Sequence, residues 1–226
     1  MNAEEIVSRV LYRDALMLAI DKPAGLPVHP GPKGGETLFH HLDALRFGLP
    51  RRPEAAHRLD KDTSGCLVLG RNPKAIARLN ELFRRNEIDK IYWAVVEGGP
   101  EADEGEIDLA LAPKSPDRGW WMKVDPKGQP SLTQWRVLGR AEGLTLLELR
   151  PITGRTHQLR VHCAAMNFPI LGDPIYGTTP RFGGPGLHLH ARSVMVPLYP
   201  KKPPILVEAP VPEHMRERVA ACGGTA

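Results

Sequence analysis

Apolar residues in this chain come in runs of strand length, and proline and glycine cut the runs apart. With 23 prolines and 22 glycines in 226 residues, turns are frequent enough to hold most runs to the roughly 4–8 residues of a buried or half-buried strand. None approaches the ~18 apolar residues that a membrane span needs, so no membrane association is expected. Residues 16–21, 66–70 and 91–97 read as strands. Residues 107–111, 120–124, 132–138 and 144–150 alternate as antiparallel strands do, and 187–196 and 205–209 complete the set. Helical spacing is confined to 37–45, a segment opened by Asn72, 156–166 and 212–221. Asn72 is a good N-cap and Pro73 suits the first helical position, with Ile76, Leu79, Leu82 and Phe83 on one face. Many strands, few helices and no regular βαβ alternation predict an α+β fold. The length suits a single domain spanning 1–226.

Charge and cysteine content narrow the class. The net charge is only +4, but it is unevenly spread. Arg46 to Lys90 holds eleven Lys/Arg against six Asp/Glu, and Arg150 to Arg192 holds five Arg against one acid, Asp173. The intervening stretch from Glu97 to Asp108 has six acids and no base. Two basic segments brought together would attract phosphates; solvated helix faces would give the same counts, so charge alone leaves both readings open. The three cysteines, Cys66, Cys163 and Cys222, are far apart. They form no C-x-x-C pair and suggest reduced thiols in a cytoplasmic setting. The acidic, amphipathic start MNAEEIVSRV does not read as a secretory signal.

Three segments carry polar residues in patterns that suggest chemistry. His57-Arg58-Leu59-Asp60-Lys61-Asp62-Thr63-Ser64-Gly65 lies just before the apolar run 66–70. A carboxylate at the mouth of a buried strand is well placed for nucleophilic or base chemistry. The same residues would also serve as a simple turn, with Asp62 or Ser64 capping backbone groups and Gly65 supplying an unusual φ. In Thr153 to His162 (TGRTHQLRVH), Arg155 falls in the turn entering a helix, and Leu159 and Cys163 face a core. Arg160 lies beside that face, where a buried guanidinium requires an acidic partner; Asp60 is the natural candidate. His157 and His162 are five residues apart, which suits no shared metal on one helix, and no metal site is expected. In Lys90 to Val96 (KIYWAVV), Tyr92, Ala94 and Val96 share one strand face and Trp93 and Val95 the other. A tyrosine there belongs to a core or offers a platform for a flipped base.

Taken together these segments resemble a pseudouridine synthase of the RluA type. The resemblance rests on HRLDKDTSG (57–65) and TGRTHQLRVH (153–162). It is supported by DKPAGLPVHP (21–30), KIYWAVV (90–96), GQPSLTQWRVL (128–138), PILGDPIYG (169–177) and LHLHARSV (187–194), in the family's order. It implies a bent, mixed but largely antiparallel sheet flanked by helices and loops, with the active site in a basic cleft across its middle. It also implies that a uridine in RNA is isomerised to pseudouridine without metal, nucleotide or redox cofactor. By motif position Asp60 is the catalytic aspartate, Arg160 the arginine that pairs with it, and Tyr92 the tyrosine that packs on the target base. Leu189 would be an apolar wall of the pocket. His57, Arg58, Arg155 and His157 are assigned to substrate binding or to holding the loops that do it.

The family-like core begins at Val10-Leu11-Tyr12, so a separate N-terminal RNA-binding module is not expected. Substrate choice, ribosomal or transfer RNA or both, would then fall to loops such as 31–56 and 112–131. There Trp120 and Trp121 are suited to stacking on splayed bases, and at least one of the pair to core packing. A monomer with no obligate protein partner is the expectation. The competing class is an RNA chaperone or ribosome-assembly factor acting through binding, and Asp60, Tyr92 and Arg160 together are more than binding requires.

Overall fold

Strands form where proline and glycine bound the apolar runs. The computed structural model describes residues 1–31, 34–115 and 121–225. Helix α1 (Ala3–Ser8) leads into β1 (Val10–Arg13) and β2 (Met17–Lys22). A 3-10 helix (Leu38–Leu45) and β3 (Glu54–Ala55) precede β4 (Ser64–Gly70) and α2 (Pro73–Arg84). Then come β5 (Asp89–Glu97), β6 (Glu104–Asp108), β7 (Leu111–Pro113), β8 (Met122–Val124), β9 (Leu132–Ala141) and β10 (Leu144–Pro151). Helix α3 (Gln158–Ala165), β11 (Leu189–Val196), β12 (Ile205–Glu208) and α4 (Glu213–Ala221) complete the chain. The class is α+β, and the sheet is mostly antiparallel. Two compact units are distinguished: Met1–Lys90 with Ala191–Pro210, and Ile91–His190 with Val211–Ala226.

In the first unit β2 pairs with β1 and with β4, β3 adds to β4, and β12 lies on β11, all antiparallel. Strand β4 is buried at every position, which is why its sequence is a continuous apolar run instead of an alternation. Helix α2 starts as its sequence dictates: Asn72 Oδ1 accepts from the Ala75 N–H at 2.9 Å, and Pro73 occupies the first turn. Leu79 and Leu82 point into the core.

In the second unit an antiparallel ladder runs β5–β10–β9–β6. The alternation read from the KIYWAVV run sorts its residues onto two separate cores. Ala94 and Val96, with Tyr92 at the edge, join Leu147, Leu149 and the α3 residues Leu159 and Cys163. Val95 and Trp93 join Leu146 and the α4 residues Met215 and Val219. Each face of the ladder is thus covered by one helix, which accounts for the apolar character of both sides of β10.

Some expected boundaries moved. The run 107–111 divides between β6 and β7, which pairs with β8 in a small ladder of its own. Segment 37–45 is a 3-10 helix. Helix α3 begins at Gln158 instead of Thr156, because His157 takes a left-handed conformation (φ 52°, ψ 18°) that no α-helix can include. Trp120 lies outside the described residues, while Trp121, just before β8, is half-buried.

Candidate active site

Strand β4 carries the first motif at its entrance. Residues 60–63 form a turn closed by the Thr63 N–H donating to the Asp60 carbonyl at 3.2 Å. Thr63 and Ser64 are buried, while Asp60 is half-buried at the surface end of the turn. Gly65 has φ +105°, and a Cβ there would run into the Ala191 carbonyl, so only glycine lets the backbone pass β11 at this point. The next carbonyl after Asp60, that of Lys61, accepts from the Gly25 N–H at 2.9 Å and from Lys22 Nζ at 3.0 Å.

Lys22 is the part of this loop that sequence reasoning missed. It is the last residue of β2, sits opposite Gly65 in the ladder, and is fully buried. Its ammonium donates to the carbonyls of Pro23 (2.7 Å), Leu26 (2.9 Å) and Lys61 (3.0 Å). Burial pushes its pKa down to about 8, against the pull of the Asp62, Asp60 and Asp21 carboxylates. One cation therefore ties the 23–26 loop to the turn carrying Asp60. Its signal in the sequence was the Lys-Pro pair ending an apolar strand.

The neighbours of Asp60 divide. His57 stacks on Phe83 at 4.3 Å between centroids, and its Nε2 accepts from the Val68 N–H at 3.0 Å. Burial, with the Lys90 charge adding to it, pushes the His57 pKa down to about 3, so the ring is neutral and acts as a strut between α2 and β4. Arg58 is exposed.

The second unit holds the other predicted residues. Tyr92 is half-buried on β5, opposite Leu149, and borders the apolar cluster that contains Leu189 and Leu159. Next to Leu159, Arg160 is 3% exposed. Its Nε and Nη2 donate to the two carboxylate oxygens of Asp173 at 2.8 and 2.7 Å. Asp173 is 1% exposed and accepts as well from the backbone N–H groups of Ile175 and Tyr176. Burial alone would raise the Asp173 pKa, but the Arg160 fork and those N–H groups hold it below the usual carboxylate value. An acidic partner of the kind a buried arginine requires is present here as Asp173, a residue sequence reasoning did not single out.

Around this fork the TGRTHQ turn is set by Gln158. Its Oε1 accepts from Thr153 Oγ1 (2.7 Å) and the Arg155 N–H (3.0 Å), while Nε2 donates to the Leu132 carbonyl and to Thr133 Oγ1, each at 3.0 Å. Arg155 is left exposed, with its Nε on the Pro130 carbonyl. His157 Nδ1 shares a 2.8 Å hydrogen bond with the Tyr176 hydroxyl, which also accepts from the Met122 N–H at 2.9 Å. The Tyr176 ring lies 5.3 Å from the Arg160 guanidinium carbon. Tyr176 thus links the arginine, the α3 entry turn and β8, and it too went unnoticed in the sequence, although PILGDPIYG holds both it and Asp173.

Known proteins resemble this chain over most of its length. An uncharacterised RNA pseudouridine synthase of Zymomonas mobilis is 47% identical over 210 residues, 92% of this chain and 95% of its own. Ribosomal large subunit pseudouridine synthase C of Vibrio cholerae is 33% identical over 222 residues, 94% of this chain and 69% of its own. The solved structure of human RNA pseudouridylate synthase domain containing 4 superimposes with a TM-score of 0.82 at 28% identity, covering 98% of this chain and 95% of that one. With residues 17–165 also matching the family model described as RNA pseudouridylate synthase, the chain belongs to the RluA-type RNA pseudouridine synthases.

Proposed function

We propose that this synthase isomerises uridine in large-subunit ribosomal RNA, with Asp60 as its catalytic carboxylate. The observation that carries the assignment is the bracing of the Asp60 turn: a buried lysine and a backbone N–H fix the adjacent carbonyl, and a fully buried strand follows at once. A carboxylate so fixed loses little freedom on meeting its substrate, which is what positional catalysis requires. In the reaction the N1–C1′ bond breaks, C5 bonds to C1′, C5 gives up its hydrogen and N1 gains one. Substrate and product are isomers, so the balance calls for no oxidant, reductant or group donor, and we assign no cofactor.

Tyr92, at the edge of its apolar cluster beside Leu189, is the platform for the extruded uracil. Arg160, fixed by Asp173, supplies a preoriented positive charge. Extruding the base costs a few kcal/mol, which phosphate contacts from Arg58, Arg155 and other exposed cations offset in a salt-dependent way. The ribosomal target is supported by relatives named as ribosomal large subunit synthases, among them those of Vibrio cholerae and Yersinia pestis. Cys66, Cys163 and Cys222 are free thiols, which favours a reducing compartment such as the cytoplasm.

The test is release of tritium from RNA labelled at uridine C5, with wild type and Asp60→Asn side by side. Wild type should release it from ribosomal transcripts, and Asp60→Asn should lose turnover by at least about a thousandfold while binding the same RNA with little change. Parallel loss of binding would make Asp60 a structural residue. Release from transfer RNA alone would move the target, and no release by either protein would favour an RNA chaperone.

A further inference from the structure

Residues 173–185 form a closed loop whose tip presents Phe182. This side chain is 89% exposed; among the described residues the next most exposed large apolar side chain is Leu206 at 55%. The neck of the loop is closed by backbone hydrogen bonds. His188 N–H donates to the Leu171 carbonyl at 2.9 Å, and both residues are bonded to the Val95 backbone on β5. Gly172 (φ +81°) approaches Gly186 so closely that a Cβ would strike its carbonyl. Inside the neck, Asp173 organises the first turn, and Thr178 Oγ1 donates to the Glu97 carboxylate at 2.8–2.9 Å. Compact loops with joined ends and self-packed interiors are frequent carriers of binding residues.

The chemistry around the tip is specific. Arg181, adjacent to Phe182, places its guanidinium carbon 5.6 Å from the centroid of the Trp121 ring, and Lys114 Nζ lies 5.5 Å from the same centroid. Both cations are exposed. Of the nearby acids, Asp173 is held by Arg160, and Glu97 on β5 accepts from Thr178. The rest of the tip is Thr179, Pro180, Gly183 and Gly184, and among the described residues of the loop no other large apolar side chain is exposed beside the phenylalanine. An exposed ring next in sequence to Arg181, whose guanidinium shares the Trp121 ring with Lys114, matches a ligand with one planar face and an attached anion.

Resting on the reading of RNA as substrate, we propose that Phe182 stacks an unpaired base of the substrate, with Arg181 and Lys114 on its phosphates, as an RNA contact beyond those of the catalytic residues. Because the loop begins at Asp173, which holds Arg160, engaging the tip also bears on the arginine.

The test uses an unmodified, C5-tritiated large-subunit ribosomal transcript, with binding and turnover measured on the full chain. Phe182→Ala should weaken binding about tenfold, the loss of one stacked base, with the change falling on Kd and KM more than on kcat. Phe182→Trp should restore it. Arg181→Gln should lower the slope of log affinity against log salt by about 0.7. Equal binding by Phe182→Ala and wild type overturns the proposal, as does a loss confined to kcat, which would make the loop a brace for Arg160 alone. If wild type releases no tritium and Phe182→Ala still binds more weakly, the isomerase reading falls and the stacking site stands.

Discussion

At the scale of single residues, the site depends on buried charges that hold each other. Arg160 and Asp173 are both almost fully excluded from water and joined by two hydrogen bonds. Breaking such a pair from one side costs about 3–5 kcal/mol, because the survivor stays buried after losing that counter-charge. Asp173→Asn keeps an oxygen for the Ile175 and Tyr176 N–H groups but leaves Arg160 without that charge. A thermal melt should show a drop of roughly 10 °C for a chain of this length. The double variant Arg160→Met/Asp173→Asn, which keeps an acceptor for those two N–H groups, should recover much of the stability and none of the tritium release; recovery of activity would remove Arg160 from the mechanism. An arginine beside a core face announces that it needs an acid, and Asp173 is the single acid between Arg150 and Arg192. That Asp173 meets Arg160 depends on how residues 170–177 fold back, and no local periodicity encodes that.

At the scale of elements, the Asp60 turn is held by the end of a different strand. Strand β2 stops at Lys22 because Pro23 cannot extend the ladder, and the lysine then turns inward to satisfy three carbonyls. Lys22→Met would take that donor from the Pro23 and Leu26 carbonyls and leave the Lys61 carbonyl with the Gly25 N–H alone, at about 3 kcal/mol after relaxation. The turn would slacken, and a shift of even 1 Å in a catalytic group can lower turnover about a hundredfold. We expect tritium release to fall by that order, with a lower melting temperature and near-native RNA binding; unchanged turnover would show that the turn holds without Lys22. The strands of both units were legible because their apolar runs are bounded by turn residues. Short elements were not. Helix α1 carries a full capping box between Asn2 and Glu5, yet its six residues are too few for a 3.6-residue period to register. The start of α3 was misplaced by two residues because a left-handed histidine leaves no compositional mark.

At the scale of the whole molecule, each compact unit contains a carboxylate held low by hydrogen bonds, and this sets the response to acid. In the first unit Asp14 accepts from the N–H groups of Leu16 and Met17 and from the hydroxyls of Tyr12 and Tyr199. Burial works to raise its pKa, and these bonds together bring it below the usual value. In the second unit Asp173 is lowered in the same sense. A carboxyl whose folded pKa lies below its unfolded one adds stability that is complete above the unfolded value of about 3.9, and that is lost as pH falls through the folded value. Urea unfolding followed by circular dichroism from neutral to acid pH should therefore show stability steady with respect to these groups down to about pH 5, then falling. Asp14→Asn should be less stable at pH 7 but decline less steeply in acid, so that its curve and the wild-type curve converge as pH drops. Curves that stay parallel through the acid range would mean that Asp14 contributes through its hydrogen-bond geometry and not through its charge.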